Sequence, residues 1–259
     1  MKVTILGCGA SSGVPLIGCE CAVCRSSNPK NKRTRVSILI EHKNTTILVD
    51  TSPDMREQCL RHSIKKVNAI IYTHAHADHI HGIDDTRGFN YQNNAPLDVY
   101  GDVTTLKQIQ ERFSYCFLPP KPAQTGWYRP CLTPIPIEPP AAFTIGDIEI
   151  LPFWQTHGQS KTIGLRFGNF AYSTDANGFP EASWEILKGI DIWIVDCLRY
   201  DPAPTHSHLS MTLEWITRAK PKSAYLTHMN HELDYDVLVR TLPENVFPAY
   251  DGLEIIGNY

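Results

Sequence analysis

The sequence predicts a mixed α/β (α+β) fold, and three observations carry that reading. Short apolar runs rich in β-branched residues recur along the chain. Helix-like segments with recognisable ends alternate with them. No apolar stretch approaches the ~20 residues that a membrane-spanning helix needs.

Val3–Leu6, Ser37–Glu41 and Thr46–Val49 read as strands, the last two joined by a turn at His42–Asn44. Pro53–His62 reads as a helix with Ser52 as N-cap and Pro53 at its first position. Asn68–Thr73 is expected as a buried strand, Leu97–Tyr100 as another, and Thr104–Phe113 as a helix. Phe143–Leu151 reads as a hairpin turning at Gly146–Asp147. Thr162–Phe167 and Ala171–Thr174 follow as strands, Ser183–Leu187 begins a helix, and Ile190–Val195 is a central strand. Leu209–Ala219 is a helix closed by Pro221, Ser223–Thr227 a late strand, and Tyr235–Thr241 a last helix. Leu118–Pro140 stands apart, with eight prolines in 23 residues around Trp127, Tyr128 and Arg129. It is excluded as a regular helix or central strand and reads either as a surface excursion or as a rigid flap over a site. One domain spanning 1–259 is expected, with this excursion at 118–140.

Composition narrows the function classes. A net charge of −3 gives no bias toward nucleic acid, and the basic run Lys30–Arg35 reads as a solvated loop. Met1–Gly9 reads as a strand entering a glycine-rich turn and lacks the longer apolar run of a signal peptide. A cytoplasmic location with reduced thiols is therefore expected. Of the eight cysteines, Cys8, Cys59, Cys116, Cys131 and Cys197 have no partner at ligand spacing and read as small core residues. Cys19, Cys21 and Cys24, in "GCECAVC", are close enough to share a metal ion.

The chemistry is concentrated in Thr73–Gly82, "THAHADHIHG", directly after a predicted buried strand. His74, His76, Asp78 and His79 offer the imidazole and carboxylate donors that zinc and manganese accept, on a loop able to aim them at two ions. H-x-H-x-D-H in this setting resembles the metallo-β-lactamase superfamily of dinuclear metal hydrolases, whose fold is an αββα four-layer sandwich. The resemblance implies further ligands, matched in order by His157 ("FWQTHG"), Asp175 ("FAYSTDANG") and His228 ("AYLTHMNHELD"). It implies that His74, His76 and His157 hold one metal, that Asp78, His79 and His228 hold the other, and that Asp175 bridges them.

C-x-C-x-x-C after a loop bearing Gly7, Gly9, Gly13 and Pro15 resembles a narrower group, the PhnP-type phosphodiesterases. There the three thiolates and a histidine three residues after the last active-site histidine bind a structural zinc. The implied set is Cys19, Cys21, Cys24 and His231. The group also implies a histidine near a helix start as general acid. "THSHLSMTLEWI" offers two: the "HLS" pattern favours His208, and a two-residue shortening before "LEW" leaves His206 open. Asp78 and His208 are thus the expected catalytic residues.

These implications add up to a phosphodiesterase acting on a small or cyclic phosphodiester, of 2′,3′-cyclic nucleotide or ribosyl cyclic phosphate type. Two active-site ions (zinc or manganese) would supply a bridging hydroxide for attack on phosphorus. Arg87 and Arg199 are candidates for holding a further phosphate, against plain surface ion pairs. The implied partners are a small phosphodiester or nucleotide substrate and a second copy of the chain, with no membrane and no stable nucleic-acid complex. The alternatives are a lactonase or thioesterase, a tRNase Z-like enzyme, or a non-catalytic PqqB-like carrier.

Overall fold

The computed structural model describes residues 1–120 and 127–259. Its first sheet contains β1 (Lys2–Gly7), β2 (Ser37–His42), β3 (Thr45–Val49), β4 (Ala69–Ile71), β5 (Leu97–Gly101) and β6 (Leu132–Pro136), in that spatial order. The second contains β7 (Phe143–Ile145), β8 (Ile148–His157), β9 (Ser160–Phe167), β10 (Phe170–Ser173), β11 (Ile192–Asp196), β12 (Ser223–Thr227) and β13 (Val246–Pro248). The last strand, β14 (Glu254–Ile256), returns to the first sheet beside β1. Each sheet starts with antiparallel pairs and continues with parallel ones: β3–β4–β5–β6 in the first, β10–β11–β12–β13 in the second.

Strand periodicity explains the layering. Ile38, Ile40, Ile47 and Val49 join one core with Phe153, Ile163, Leu165 and Tyr172 of the second sheet. The intervening Leu39 and Leu48, with Ile70 and Val99, face the other way and pack under Met55, Ile80, Phe89, Leu106 and Ile109. Both faces of the first sheet are therefore covered, and its central strands read as continuous apolar runs. Trp184, Leu187, Ile216 and Leu238, from helices of the C-terminal half, pack with the second sheet. The arrangement is an αββα sandwich, as the resemblance implied. Among the described residues no helix is long and apolar enough to cross a membrane.

Several boundaries moved for local reasons. The helix expected from Pro53 starts at Met55, because the Ser52 hydroxyl accepts from Asp54 N in a preceding turn. β4 is shorter than Asn68–Thr73 because side chains satisfy its flanks: Asn68 Oδ1 takes Thr46 N and Asp50 Oδ1 takes Thr73 N. In the proline-rich segment, Leu132–Pro136 forms β6. It is tolerated there because the strand is at the sheet edge. Arg129 donates to the carbonyls of Leu118 (2.8 Å) and Pro119 (2.7 Å), and Arg87 donates to that of Tyr128 (3.0 Å). Residues 121–126, the middle of the expected flap, lie outside the described residues.

Lys30–Arg35 is not a solvated loop. Arg33 is 2% exposed and donates to the carbonyls of Asn230 (3.0 Å) and Leu233 (2.6 Å) and to Asn31 Oδ1 (3.1 Å). It holds the segment that carries His231. A guanidinium can be buried here because these acceptors take both of its terminal nitrogens, leaving only Nε without a partner.

Candidate metal centre

The parallel strands of both sheets bring their C-terminal ends to one rim. Asp50 follows β3, the His74–His79 loop follows β4, Asp175 follows β10, Asp196 ends β11 and His228 follows β12. His157 joins them from the end of β8. Asp50, Asp175 and His228 have φ of 62°, 54° and 58°, so each turns its strand end through a left-handed residue.

Two donor groups result. His74, His76, His157 and Asp175 form one, and Asp78, His79, Asp175 and His228 the other, with ligand atoms within 4.8 Å of one another in each. Asp175 divides its oxygens between them. Its Oδ2 lies 3.7 Å from His74 Nε2 and 3.9 Å from His157 Nε2, while its Oδ1 lies 3.1 Å from His79 Nε2 and 3.5 Å from His228 Nε2. Asp78 Oδ2 is 3.5 Å from His79 Nε2 and 3.6 Å from His228 Nε2.

Three of the imidazoles are aimed by a partner on their far side. His79 Nδ1 donates to Asp50 Oδ2 at 2.7 Å, and Asp50 also takes Thr73 N and Oγ1 at 2.8 Å each. His157 Nδ1 donates to the Thr205 carbonyl at 2.7 Å, and His74 Nδ1 meets Thr73 Oγ1 at 3.1 Å. Such contacts fix the tautomer and leave Nε2 to the metal. Nε2 of His74, His79 and His228 are buried without a hydrogen-bond partner. Buried polar atoms rarely stay unpaired, so the donor sets fit divalent ions.

The electrostatics agree. Burial pushes His79 down, but Asp175, Asp50 and Asp78 lift it well above the usual imidazole value. His228 is lifted against burial to about 9, chiefly by Asp175. Burial holds His74 well below its ordinary value and lowers His76 and His157. Burial alone would raise Asp175 and Asp78, but the surrounding imidazoles take both carboxyls far below the ordinary range. Without metal, protons on His79 and His228 balance the carboxylates; an ion would displace them.

A second centre lies close by. Cys19, Cys21, Cys24 and His231 offer four donors, with His231 Nδ1 at 3.7 Å from Cys19 Sγ and 3.5 Å from Cys21 Sγ. Donors on a tetrahedral zinc with a ~2.3 Å Zn–S bond stand roughly 3.5–3.8 Å apart, so this set fits a closed site. The Cys24 amide and His231 pull the Cys21 thiol down to about 6, while burial pushes Cys24 up to about 11. The two centres share one loop: Met229 N donates to Cys8 O (2.9 Å), Ala10 N to Met229 O (3.1 Å) and Asn230 N to Leu198 O (2.9 Å). All eight cysteines are free thiols, and the five outside this set are buried.

The two acid candidates lie in different settings. His206, not His208, reaches the centre: its Nε2 is 3.8 Å from Asp175 Oδ2, its ring stacks on His228, and its Nδ1 donates to Asp196 Oδ2 at 3.1 Å. His208 lies at the N-cap of the helix Leu209–Ala219 and belongs to none of the donor groups. Ser207 N bonds to the Ala176 carbonyl (2.7 Å), and Leu209 N bonds to that of Arg199 (2.9 Å). These bonds pin the backbone on either side of His208. Asp50 and Asp196 escaped the sequence reading, since a single aspartate at a strand end carries no spacing signal. Arg87 pairs with Asp84, and Arg199 bonds to backbone carbonyls of Asp201 and Pro202, so neither faces the centre.

Comparison with known proteins agrees with the site. The Beta-lactamase superfamily domain matches residues 45–229, well over half of the chain. A crystal structure of a diphosphatase from the PhnP family is 37% identical, covers 99% of this chain and 98% of its own, and superposes with a TM-score of 0.91. The chain belongs to the metallo-β-lactamase superfamily. Within that superfamily its kinship with the PhnP family extends over the full length. An octanoyltransferase from Porphyromonas gingivalis is 33% identical over 99% of this chain, and the chain spans about half (51%) of that protein. Zn(2+)-bound PqqB from Methylobacterium extorquens shares the superfamily fold at TM-score 0.78 and 18% identity, covering 99% of this chain and 100% of that one.

Proposed function

We propose that the protein is a metal-dependent phosphodiesterase with a dinuclear active site and a separate structural zinc. The observation that carries this is Asp175, whose two oxygens each face a different imidazole group. His74, His76 and His157 would hold one ion, Asp78, His79 and His228 the other, and Asp175 both. Cys19, Cys21, Cys24 and His231 would hold the zinc. Two divalent ions there, zinc or manganese, would lower the pKa of a water between them and neutralise charge on a phosphoryl group.

The remaining work falls to side chains of this chain. Asp50, Thr73 and the Thr205 carbonyl keep His79, His74 and His157 in one tautomer. His206 takes the acid role expected of His208: with Nδ1–H held by Asp196, Nε2 is the atom that can hand a proton to the leaving oxygen. The PhnP-family diphosphatase supports phosphorus as the reacting centre. The substrate would be a small or cyclic phosphodiester, in a cytoplasmic protein of one domain that pairs with a second copy.

The competing reading is acyl hydrolysis, as of a lactone or thioester, which the octanoyltransferase relative raises, although this chain spans only about half of that protein. Metal analysis together with turnover of bis(p-nitrophenyl) phosphate, a lactone and nitrocefin separates the two. About three ions per chain and phosphodiester turnover are expected. One ion per chain, or turnover of the acyl substrates alone, would refute the proposal.

A further inference from the structure

A cavity of about 500 Å³ opens beside the exposed imidazole of His76. His74 and His76 line its inner side. Trp154 of β8, Lys161 of β9, and Thr104 and Gln108 of the helix Val103–Arg112 form its walls. None of these four wall residues has a part in holding metal or moving a proton.

We propose that this cavity is the subsite for the uncut part of the substrate, and that it takes a planar ring joined to the reacting phosphoryl group, a nucleobase or similar heteroaromatic. Trp154 is the stacking surface and Lys161 the cation beside the phosphoryl group. The inference rests on the phosphodiester reading for its reaction and narrows the substrate to phosphodiesters that carry a ring, against those with a bare sugar.

Four observations support it. The volume falls in the ~300–1,000 Å³ range of small-ligand pockets. Trp154 is half-buried, packing partly against the core and lining the cavity with the rest of its indole. Lys161 Nζ lies over that ring, 5.5 Å from its centroid, on an exposed side chain that a stacking base would displace toward its own phosphoryl group. Asp102, a carboxylate on the same wall, forms no ion pair with Lys161. Its oxygens are committed to Thr104 N (2.9 Å), Thr105 N (3.1 Å) and Thr105 Oγ1 (2.5 Å) at the helix start. Thr104 and Gln108 are exposed, and their hydroxyl and amide can bond to a ring edge.

The test uses the purified metal-loaded protein and two probes that share a phosphorylated sugar, adenosine 5′-monophosphate and ribose 5-phosphate. Calorimetry should show the nucleotide bound about tenfold or more tightly, the worth of one base stacked on an aromatic side chain. Trp154→Leu should abolish that ratio and leave ribose 5-phosphate unchanged, while Trp154→Phe should keep most of it. Lys161→Ala should weaken both probes alike and flatten their salt dependence. Equal binding of the two probes by the unaltered protein would overturn the subsite, as would a Trp154→Leu protein that weakens both equally. Turnover of bis(p-nitrophenyl) phosphate is followed in parallel. Turnover without ring preference refutes the subsite alone, and ring preference without turnover of any phosphodiester refutes the reaction alone.

Discussion

Replacing His206 with alanine tests which histidine delivers the proton. His206 Nδ1 lies 3.1 Å from Asp196 Oδ2, and its Nε2 faces the centre 3.8 Å from Asp175 Oδ2. A positioned general acid is worth ~10²–10⁴ in rate, about 3–5 kcal/mol of barrier. That contribution depends on how badly the leaving oxygen needs a proton. On a diester that expels an alkoxide, His206→Ala should lose the full ~10²–10⁴ in kcat. On a p-nitrophenyl diester the phenolate departs unprotonated, and the loss should stay within about tenfold. Both turnovers are measured on protein whose metal content, by elemental analysis, matches that of the unaltered chain. His208→Ala is the paired control and should leave both unchanged, because its side chain makes no capping bond and belongs to no donor group. Equal losses on the two leaving groups, or a larger loss from His208→Ala, would refute the assignment.

Three further outcomes are expected. Cys21→Ser should lower metal content by about one ion per chain and reduce Tm, read by elemental analysis and thermal melting; an unchanged metal count would show that the thiols do not ligate. In metal-stripped protein, His228 has a folded pKa of about 9 against 6.5 unfolded, so its contribution is fully present below pH 6.5 and fades as pH rises through about 9. Melting of the stripped protein should therefore fall from pH 7 to pH 10, and a rise over that interval would contradict the carboxylate cage around His228. Arg33→Ala leaves the Asn230 and Leu233 carbonyls unpaired and should destabilise by ~3–5 kcal/mol, lowering Tm by about 6–10 °C; a change under ~1 kcal/mol would mean that water replaces the guanidinium.

The sequence made the donor residues legible because metal chemistry restricts both residue type and spacing. H-x-H-x-D-H and C-x-C-x-x-C carry their meaning locally, and the structure brings each of those residues into one of two clusters. The helix Leu209–Ala219, β12 and the helix Tyr235–Thr241 were equally legible, since Pro221 follows the first, Ala224–Leu226 is a short apolar run and Asp234 caps the last. What escaped was direction. Nothing in "THSHLS" says that the loop turns His206 inward, because that follows from Ser207 N bonding to the Ala176 carbonyl. Arg33 escaped for the same reason: a basic run looks solvated until the carbonyls that receive it, nearly two hundred residues away in sequence, are known. β6 was hidden by its own prolines, which an edge strand accommodates and a central strand does not.

The left-handed residues at the rim tie fold to function. Asp50, Asp175 and His228 all have positive φ, a conformation that costs on the order of 1–3 kcal/mol for a residue with a side chain. Glycine would relieve that strain at each position, yet each carries a side chain directed at the centre. Asp50 orients His79, and Asp175 and His228 are themselves donors. The surrounding bonds hold the strain in place. Thr73 N and Oγ1 fix Asp50, Thr162 Oγ1 bonds to the Asp175 carbonyl at 2.9 Å, and Met229 N bonds to Cys8 O directly after His228. The last of these connects the thiol site to the centre: Cys8 belongs to the same N-terminal segment as Cys19–Cys24, and His231 lies three residues beyond His228. An ion bound by the three thiols and His231 would therefore clamp both sides of the turn that points His228 inward. Its contribution to catalysis would be positional, so losing it should weaken the hold on the His228 ion before it disturbs the ion held by His74, His76 and His157.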